Sequence, residues 1–566
     1  MGENFNYSAA NGIATIAWDQ PETSMNVLTE DGIRDLDACV DRVLADPAVK
    51  AAIITSAKPD FAGGMDLRTL AGIKAKASAE GGEGGPAATL FAFVMALHGV
   101  LRKIERAGAD PKTGKGGKPF IWACPGTAMG IGLEIGLACH RRIASEDRGR
   151  IGLPEIMVGL FPGAGGTTRL VRMLGLMGAS EPLLQGKTYA ATKAKAAGLI
   201  DEAAPGPELM ARARTWAEQC TESDAVKPWD RKGFKMPGGA PYTPAGFPMF
   251  VGGVTMTHGK TQGVYPAAKA MLSAVYEGAL VDFDNAIRIE ARWFTSVLMD
   301  PSSEAMIRSL FVSKQALEKG AVRPAGVPDQ RVRKLGVLGA GMMGAGIAHI
   351  AAEAGIEVVL IDRDEAAAAG GLAKIDGFLS DSVKKRRLDE DGKAEILARV
   401  TATADYGKLA GADLIVEAVF EDAKIKSAVT KQAEAAAPEA VFATNTSTLP
   451  ITGLAKASVR PAEFIGIHFF SPVQKMMLVE IIRGRETGDR AVAKALDFVR
   501  QLKKTPIVVN DARFFYANRC ILPYVNEGVR MLAEGVAPAL IENAATQMGR
   551  PLGPLQLSDE VSLELG

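Results

Sequence analysis

Cysteine and histidine are scarce, with five of each in 566 residues. Cys39, Cys124, Cys139, Cys220 and Cys520 are odd in number, far apart and in no CxxC pair. That spacing excludes a disulfide framework and a cysteine zinc site, so no metal centre is expected. Free thiols suit a reducing cytoplasm, which is the expected location. Charge of one sign is also missing, because 65 basic side chains balance 65 acidic ones. A nucleic-acid binder would show a one-sided excess. No run approaches the roughly 18 uncharged apolar residues of a membrane span, so no transmembrane segment is expected. The opening MGENFNYSAANGIATIAW lacks the basic and apolar regions of a signal peptide. What remains is 47% apolar and 23% charged, the balance of a globular protein. At roughly 150 residues per domain, the length asks for about three or four domains.

Two composition-biased stretches, 73–88 and 107–118, are small, charged and glycine-rich, and are expected to be mobile surface loops. The glycine- and proline-rich stretch 231–245 follows an amphipathic segment and reads as a connection. Residues 264–319 carry apolar side chains at helical spacing, which predicts two or three helices. The run RPAGVPDQRVRK, 323–334, precedes a strand pattern, and the main boundary is expected there.

In the first half, GIATIAWDQ and VKAAIITSA read as strands separated by the helical segment TEDGIRDLDACVDRVLAD. The second strand runs into FAGGMDL (61–67), and a third element turns through Gly130 and Gly132 in AMGIGLEI. Two glycine turns that each present an N–H can form an oxyanion hole for a thioester carbonyl. Either turn alone is equally an ordinary strand-to-helix turn. Glu134 falls inside an apolar helix start, where a carboxylate is costly unless paired or functional. Glu155 follows in GLPEIMVGLFPGAGGTTRL. Two carboxylates beside an oxyanion hole suit hydration of a conjugated thioester, in which water is activated and a proton returns to the α-carbon.

Over residues 8–290 the motifs FAGGMDL, GTAMGIGLEIGLAC and GLPEIMVGLFPGAGGTTRLVRMLG resemble the crotonase (enoyl-CoA hydratase/isomerase) superfamily. The resemblance implies oxyanion amides at Met65 and Ile131 and a catalytic pair Glu134 and Glu155. Keeping both acids favours a hydratase over an isomerase. The chain departs from the family in one extra residue between the acids and an insertion at 104–118.

The second half opens on KLGVLGAGMMGAGIAHIAAEAGIEVVLIDRD, 334–364. A strand leads into Gly339, Gly341, Met343 and Gly344, then a helix, then a second strand ending at Asp362. The glycines admit a pyrophosphate at a helix N-terminus, and Asp362 can accept from a ribose diol while repelling a 2′-phosphate. NAD is therefore expected rather than NADP. His468 and Glu480 occupy two apolar strand segments, and a carboxylate within reach of a histidine makes a general base.

From residue 334 onward the chain resembles the 3-hydroxyacyl-CoA dehydrogenase family. By that resemblance His468 takes the 3-hydroxyl proton and Glu480 orients it. Ser447 and Asn518 would hold the substrate oxygen, and Glu421 and Lys426 would touch the cofactor. One departure is Phe514, where the family has glycine.

The expected fold is α/β in four parts. A crotonase-type ββα spiral core occupies 1–205 and a helical extension and linker 206–330. A Rossmann-type NAD domain occupies 331–510, and the start of an all-helical domain 511–566. Both halves together resemble the α-subunit of the fatty-acid β-oxidation multienzyme complex. That implies acyl-CoA substrates, NAD, a thiolase β-subunit partner and an oligomer. The rival readings are an enoyl-CoA isomerase in the first half and a non-catalytic scaffold. The resembled family closes on two helical repeats, so the short tail suggests a truncated chain with an exposed apolar face and weakened dehydrogenation of long acyl chains.

Overall fold

The computed structural model describes residues 3–80, 84–110 and 112–560. The chain divides between Phe311 and Val312 into two compact units, with Gln547–Gly549 grouped with the first.

The first unit contains strands β1 (Phe5–Ala10), β2 (Ile13–Trp18), β3 (Ala51–Ser56), β4 (Phe120–Cys124), β5 (Ala128–Met129), β6 (Arg141–Ser145), β7 (Ile151–Gly152), β8 (Thr188–Tyr189) and β9 (Glu202–Ala204). Six of them form one sheet in the order β1-β2-β3-β4-β6-β9, and β5-β7-β8 form a second, smaller one. The large sheet is parallel except for the β1–β2 hairpin. The sequence reading began at β2 and missed β1, whose outward half is polar and exposed. β4 is buried throughout and β3 up to Thr55, as central parallel strands covered on both faces must be. The first helix, Glu30–Ala45, starts where Thr29 accepts from Gly32 N–H at 3.1 Å. It buries Ile33, Leu36, Val40 and Val43 at helical spacing.

The two stretches expected to be loops differ in outcome. Most of 73–88 is helical, in Leu67–Glu80 and Gly85–Arg106, because alanines outweigh the glycines there; residues 81–83 lie outside the described residues. Among the described residues of 107–118, the backbone is irregular and pinned at both ends. Asp110 accepts from Thr113 N–H at 2.7 Å, and Lys118 Nζ donates to Asp46 O at 2.6 Å.

Gly85–Arg106 is also long and apolar enough to cross a membrane by length and composition, contrary to the sequence expectation. Here it is a core helix. Leu90, Val94, Leu97 and Leu101 are buried, and Arg102 pairs with Glu105, Asp230 and Asp284.

Residues 206–311 are part of this unit's core and not a free link. Helix Leu209–Gln219 buries Ala213 and Ala217 in the cluster beneath the large sheet. Helices Pro266–Gly278 and Phe283–Met299 add Met271, Ala274, Phe294 and Leu298 to the main core. The sequence places these last two helices by their spacing and includes Gly246–Thr261 in the helical extension; the apolar residues of that helix are largely exposed.

The second unit is an eight-stranded sheet: β10 (Lys334–Leu338), β11 (Glu357–Ile361), β12 (Val400–Thr403), β13 (Leu414–Glu417), β14 (Val441–Thr444), β15 (Phe464–Phe469), β16 (Leu478–Arg483) and β17 (Thr505–Asn510). The order is β12-β11-β10-β13-β14-β15-β16-β17, and only β15–β16 is antiparallel. The strand order reverses at β10, which opens a crevice at the carboxyl ends of β10 and β13. Residues from Val312 to the first strand belong to this unit. Arg323 pairs with Asp497 at 2.9 Å, and Arg500 Nε donates to Glu318 O at 2.8 Å. The boundary expected at 323–334 thus lies earlier. Helices Ala517–Ala533, Pro538–Gln547 and Pro554–Glu560 follow the sheet.

Candidate active sites

In the first unit, isolated parallel bridges join Leu28 to Met65 and Ala62 to Ala128. Leu28 uses its own N–H and C=O on Gly64 and Asp66, at 3.0 and 3.1 Å. In that pattern the peptide N–H of Met65 faces the other side. Ile131 is the first residue of helix Ile131–Ala138, where N–H groups have no intrahelical acceptor. The two turns are adjacent. A Cβ added at Gly130 would meet Glu155 Oε1 at 2.7 Å and Gly64 Cα at 3.8 Å, and the positive φ of 54° there also favours glycine. Met65, Ile131 and Glu155 are therefore brought together.

Glu134 lies on the same helix, 3% exposed. Its Oε1 accepts from Ala164 N–H and Gly166 N–H, both at 2.8 Å. Burial pushes its carboxyl up to about 7, against the pull of those two amides and of Arg169. Glu155 stands on the 3₁₀ turn Pro154–Val158, and its Oε2 is buried with no hydrogen-bond partner. Burial first, then the charge of Glu134, raises its carboxyl well above the usual range. Glu134 is supplied with two amides, and Oε2 of Glu155 with no donor. The pair therefore holds a proton preferentially on Glu155 while Glu134 ionises first.

In the second unit, Gly339 has φ 98°, and a Cβ there would meet Ala418 O at 2.6 Å. A Cβ at Gly344 would meet Gly339 O at 1.7 Å, so both glycines are obligatory for packing. A Cβ at Gly341 would meet nothing within 4 Å, leaving backbone open at the start of helix Met342–Glu353. Met343 is half-buried against the core of that helix. This cradle fits a pyrophosphate. Asp362 follows β11, and its Oδ2 accepts from Ala340 N–H at 2.6 Å, so it also fastens the glycine turn. Arg363 beside it is turned to Asp364 at 3.2 Å.

β15 and β16 place His468 and Glu480 directly opposite each other, with Nδ1 and Oε2 2.8 Å apart. Glu480 Oε1 accepts from Tyr516 N–H at 3.0 Å and Ala517 N–H at 2.8 Å, at the start of helix Ala517–Ala533. Burial would raise the Glu480 carboxyl, but the imidazole and the two amides outweigh it and hold it below the usual range. Asn518, next on that helix, donates to Ser447 O at 2.9 Å. Glu421 accepts from Thr446 Oγ1, from Ser447 N–H at 3.0 Å and from Thr448 N–H at 3.2 Å. Lys426 is 2% exposed and pairs with Glu417 at 2.8 Å and Glu421 at 3.1 Å. Ser447, Glu421, Lys426 and Asn518 thus form one connected cluster beside the His468–Glu480 pair.

Residues 334–512 match the NAD-binding domain of 3-hydroxyacyl-CoA dehydrogenase, and 515–566 match its C-terminal domain. Residues 112–227 match the enoyl-CoA hydratase/isomerase family. (S)-3-Hydroxybutyryl-CoA dehydrogenase PaaH1 of Ralstonia eutropha is 38% identical over 41% of this chain and 84% of its own, with a TM-score of 0.40. M. tuberculosis FadB2 is 34% identical over 41% of this chain and 84% of its own, also at 0.40. The chain belongs to the 3-hydroxyacyl-CoA dehydrogenase family. It also carries an enoyl-CoA hydratase domain, and the two together are those of a bifunctional fatty-acid β-oxidation enzyme that uses NAD and CoA thioesters. An enoyl-CoA hydratase of Geobacillus kaustophilus is 21% identical over 55% of this chain and 94% of its own, with a TM-score of 0.33.

Among the buried carboxylates that the sequence does not single out, two lie beside the sites. Glu417 at the end of β13 is fully buried and gathers Lys426 Nζ, Thr444 Oγ1 and Val419 N–H. Glu290 in the hydratase unit is equally buried. Its signal was available: in NAIRIEARWF it falls on the apolar stripe of Ala286, Ile287, Ala291 and Phe294.

Proposed function

We propose that Glu134 and Glu155 divide hydration between them, and that His468 and Glu480 carry the following oxidation. The carrying observation is the asymmetry of donors at the first pair, two amides on Glu134 and none on Glu155 Oε2. Ionised Glu134 takes a proton from water as its oxygen bonds to C3 of the enoyl group. Protonated Glu155 delivers its proton to C2, so the double bond is consumed and one water is added. The amides of Met65 and Ile131 receive the negative charge that develops on the thioester oxygen.

At the second site, bound NAD supplies the hydride acceptor. His468, with Nδ1 toward Glu480, keeps Nε2 for the proton of the 3-hydroxyl. Ser447 and Asn518 hold that hydroxyl, Gly339, Gly341 and Gly344 admit the pyrophosphate, and Asp362 meets the ribose. Glu421 and Lys426 shape the cofactor side of the Ser447 loop. The 3-ketoacyl-CoA product is the substrate of a thiolase. We therefore assign a thiolase β-subunit as partner in an oligomer, in a cytoplasmic setting that suits the free thiols.

The test uses purified protein and crotonyl-CoA. Loss of enoyl absorbance without NAD, and NADH formation once NAD is added, support the reading. Hydration without NADH, or double-bond migration in place of hydration, overturns it. Copurification with a thiolase tests the partner.

A further inference from the structure

The turn that holds Glu134 is held from its other side as well. Between Pro162 and Thr168 successive peptide N–H groups point alternately to two carboxylates. Those of Ala164 and Gly166 go to Glu134 Oε1 at 2.8 Å. That of Gly165 goes to Glu290 Oε1 at 2.6 Å, and that of Thr168 to Glu290 Oε2 at 2.7 Å. The Thr168 hydroxyl adds the third bond to Glu290, and the second to Oε2, at 2.6 Å. Glu290 is fully buried, and these three donors account for both of its oxygens. It comes from helix Phe283–Met299, outside the stretch that matches the hydratase family. One turn further on that helix, Phe294 lies so close to the loop that a Cβ on Gly163 would meet its ring at 2.3 Å.

We infer that Glu290 is a positioning residue of the hydratase centre: by fastening the Gly165 and Thr168 amides, it aims those of Ala164 and Gly166 at Glu134. This rests on the reading of Glu134 as the group that activates water. A carboxylate suits the task because it accepts on both oxygens. An amide presents a donor to one set of N–H groups and pushes that part of the turn away. The charged and titratable groups around the turn are Glu134 and Glu155, Arg169 on the helix that follows, and Glu105 and His98 on Gly85–Arg106. Arg169 bonds Glu105 at 3.0 Å and Ala164 O at 3.1 Å, and a Cβ on Gly165 would meet His98 Nδ1 at 3.5 Å. Burial and the charge of Glu134 push the Glu290 carboxyl up to about 7, so the two acids sense each other.

The experiment compares Glu290→Gln, Thr168→Val and Glu134→Gln in the full chain, with NADH formation from 3-hydroxybutyryl-CoA as the control for intact protein. Glu290→Gln is expected to lower the hydration kcat by about 10- to 100-fold with little change in KM. Two opposed effects act on the acid limb of its kcat profile: Glu134 loses N–H bonds that favour its ionised form, which moves the limb to higher pH, and it loses a neighbouring like charge, which moves it to lower pH. Thr168→Val, which removes only the hydroxyl and keeps the Glu290 carboxylate, lowers kcat by less and moves the acid limb to higher pH. It decides the matter if Glu290→Gln does not fold. An unchanged kcat in Glu290→Gln overturns the inference, as does an acid limb in Thr168→Val that stays in place or moves to lower pH. Glu134→Gln separates the two readings. If it leaves hydration intact, the assignment of Glu134 fails; if it abolishes hydration while Glu290→Gln does nothing, only the role of Glu290 fails.

Discussion

The two halves of the chain both put glutamates among apolar side chains, and they treat them in opposite ways. In the hydratase unit, Glu134, Glu155 and Glu290 are crowded together, the donors to Glu134 and Glu290 are uncharged amides and a hydroxyl, and burial raises all three. In the dehydrogenase unit, Glu480 and Glu421 are given an imidazole, a lysine, hydroxyls and several amides, and both are held below the usual carboxylate range. The difference follows the chemistry. Adding water across a double bond needs one acid that still carries a proton near neutral pH. Orienting a histidine base needs a carboxylate that never gives up its charge. Glu290 and Glu480 each have three donors, so the charge of the partners, a neighbouring carboxylate in one case and an imidazole in the other, separates the two uses better than the number of donors does.

The largest test of that comparison is separability. Glu134→Gln should lower hydration by about 10²- to 10⁴-fold and leave NADH formation from 3-hydroxyacyl-CoA intact; His468→Gln should do the reverse. If either change removes both activities in folded protein, the two centres are not independent.

The pH profiles sharpen the contrast. Hydration should fall on acidification through about pH 7, where Glu134 becomes protonated. It should fall again at higher pH, as Glu155 loses the proton it must give. Dehydrogenation should show no limb from Glu480 in the usual carboxylate range, since that carboxyl stays ionised below it. Rate measurements across pH on the two half-reactions check both statements.

Next in size is the cofactor. Asp362→Asn should raise the KM for NAD about tenfold, a loss of roughly 1.4 kcal/mol, and raise that for NADP by less. Equal losses would mean that Asp362 acts only through its bond to Ala340 N–H.

Stability effects are smaller. Glu155→Gln removes a buried carboxyl with one unpartnered oxygen, so it should raise the melting temperature of the hydratase unit by about 2–4 °C while abolishing activity. The folded pKa is raised, so the stability this carboxyl contributes is present below the unfolded carboxylate range and lost as pH rises. The gain should therefore be larger at about pH 8 than at about pH 5. The smallest effect is expected at Phe514, which takes φ 66° in the left-handed region. Phe514→Gly should relieve about 1 kcal/mol of strain, partly offset by glycine's entropy, with dehydrogenation retained. Calorimetry on both variants checks the signs.

Much of the chemistry is written in local sequence. The turn after β10 is legible because glycine spacing, a preceding strand and a following helix lie within some thirty residues of one another. The same holds for Gly130 and Glu134, one helical turn apart. His468 and Glu480 required one more step. They are twelve positions apart, and it is the antiparallel β15–β16 register that sets them face to face. Helix Glu30–Ala45 was readable from its cap and stripe, whereas 73–80 and 85–88, expected in a loop, lie in two helices.

Sequence alone determined which motifs exist, their order and the two families they resemble, since each rests on neighbours along the chain. Tertiary structure decided what those motifs are bonded to. Glu290 reaches Gly165 across 125 positions, and Glu417 reaches Thr444 across 27. Helices Pro266–Gly278 and Phe283–Met299 of the extension become core only because the fold packs their apolar residues with those of the preceding strands and helices. A buried carboxylate takes its protonation from whichever donors the fold delivers, and those donors come from distant segments. The identity of the catalytic residues is therefore local information, and the state in which they work is not.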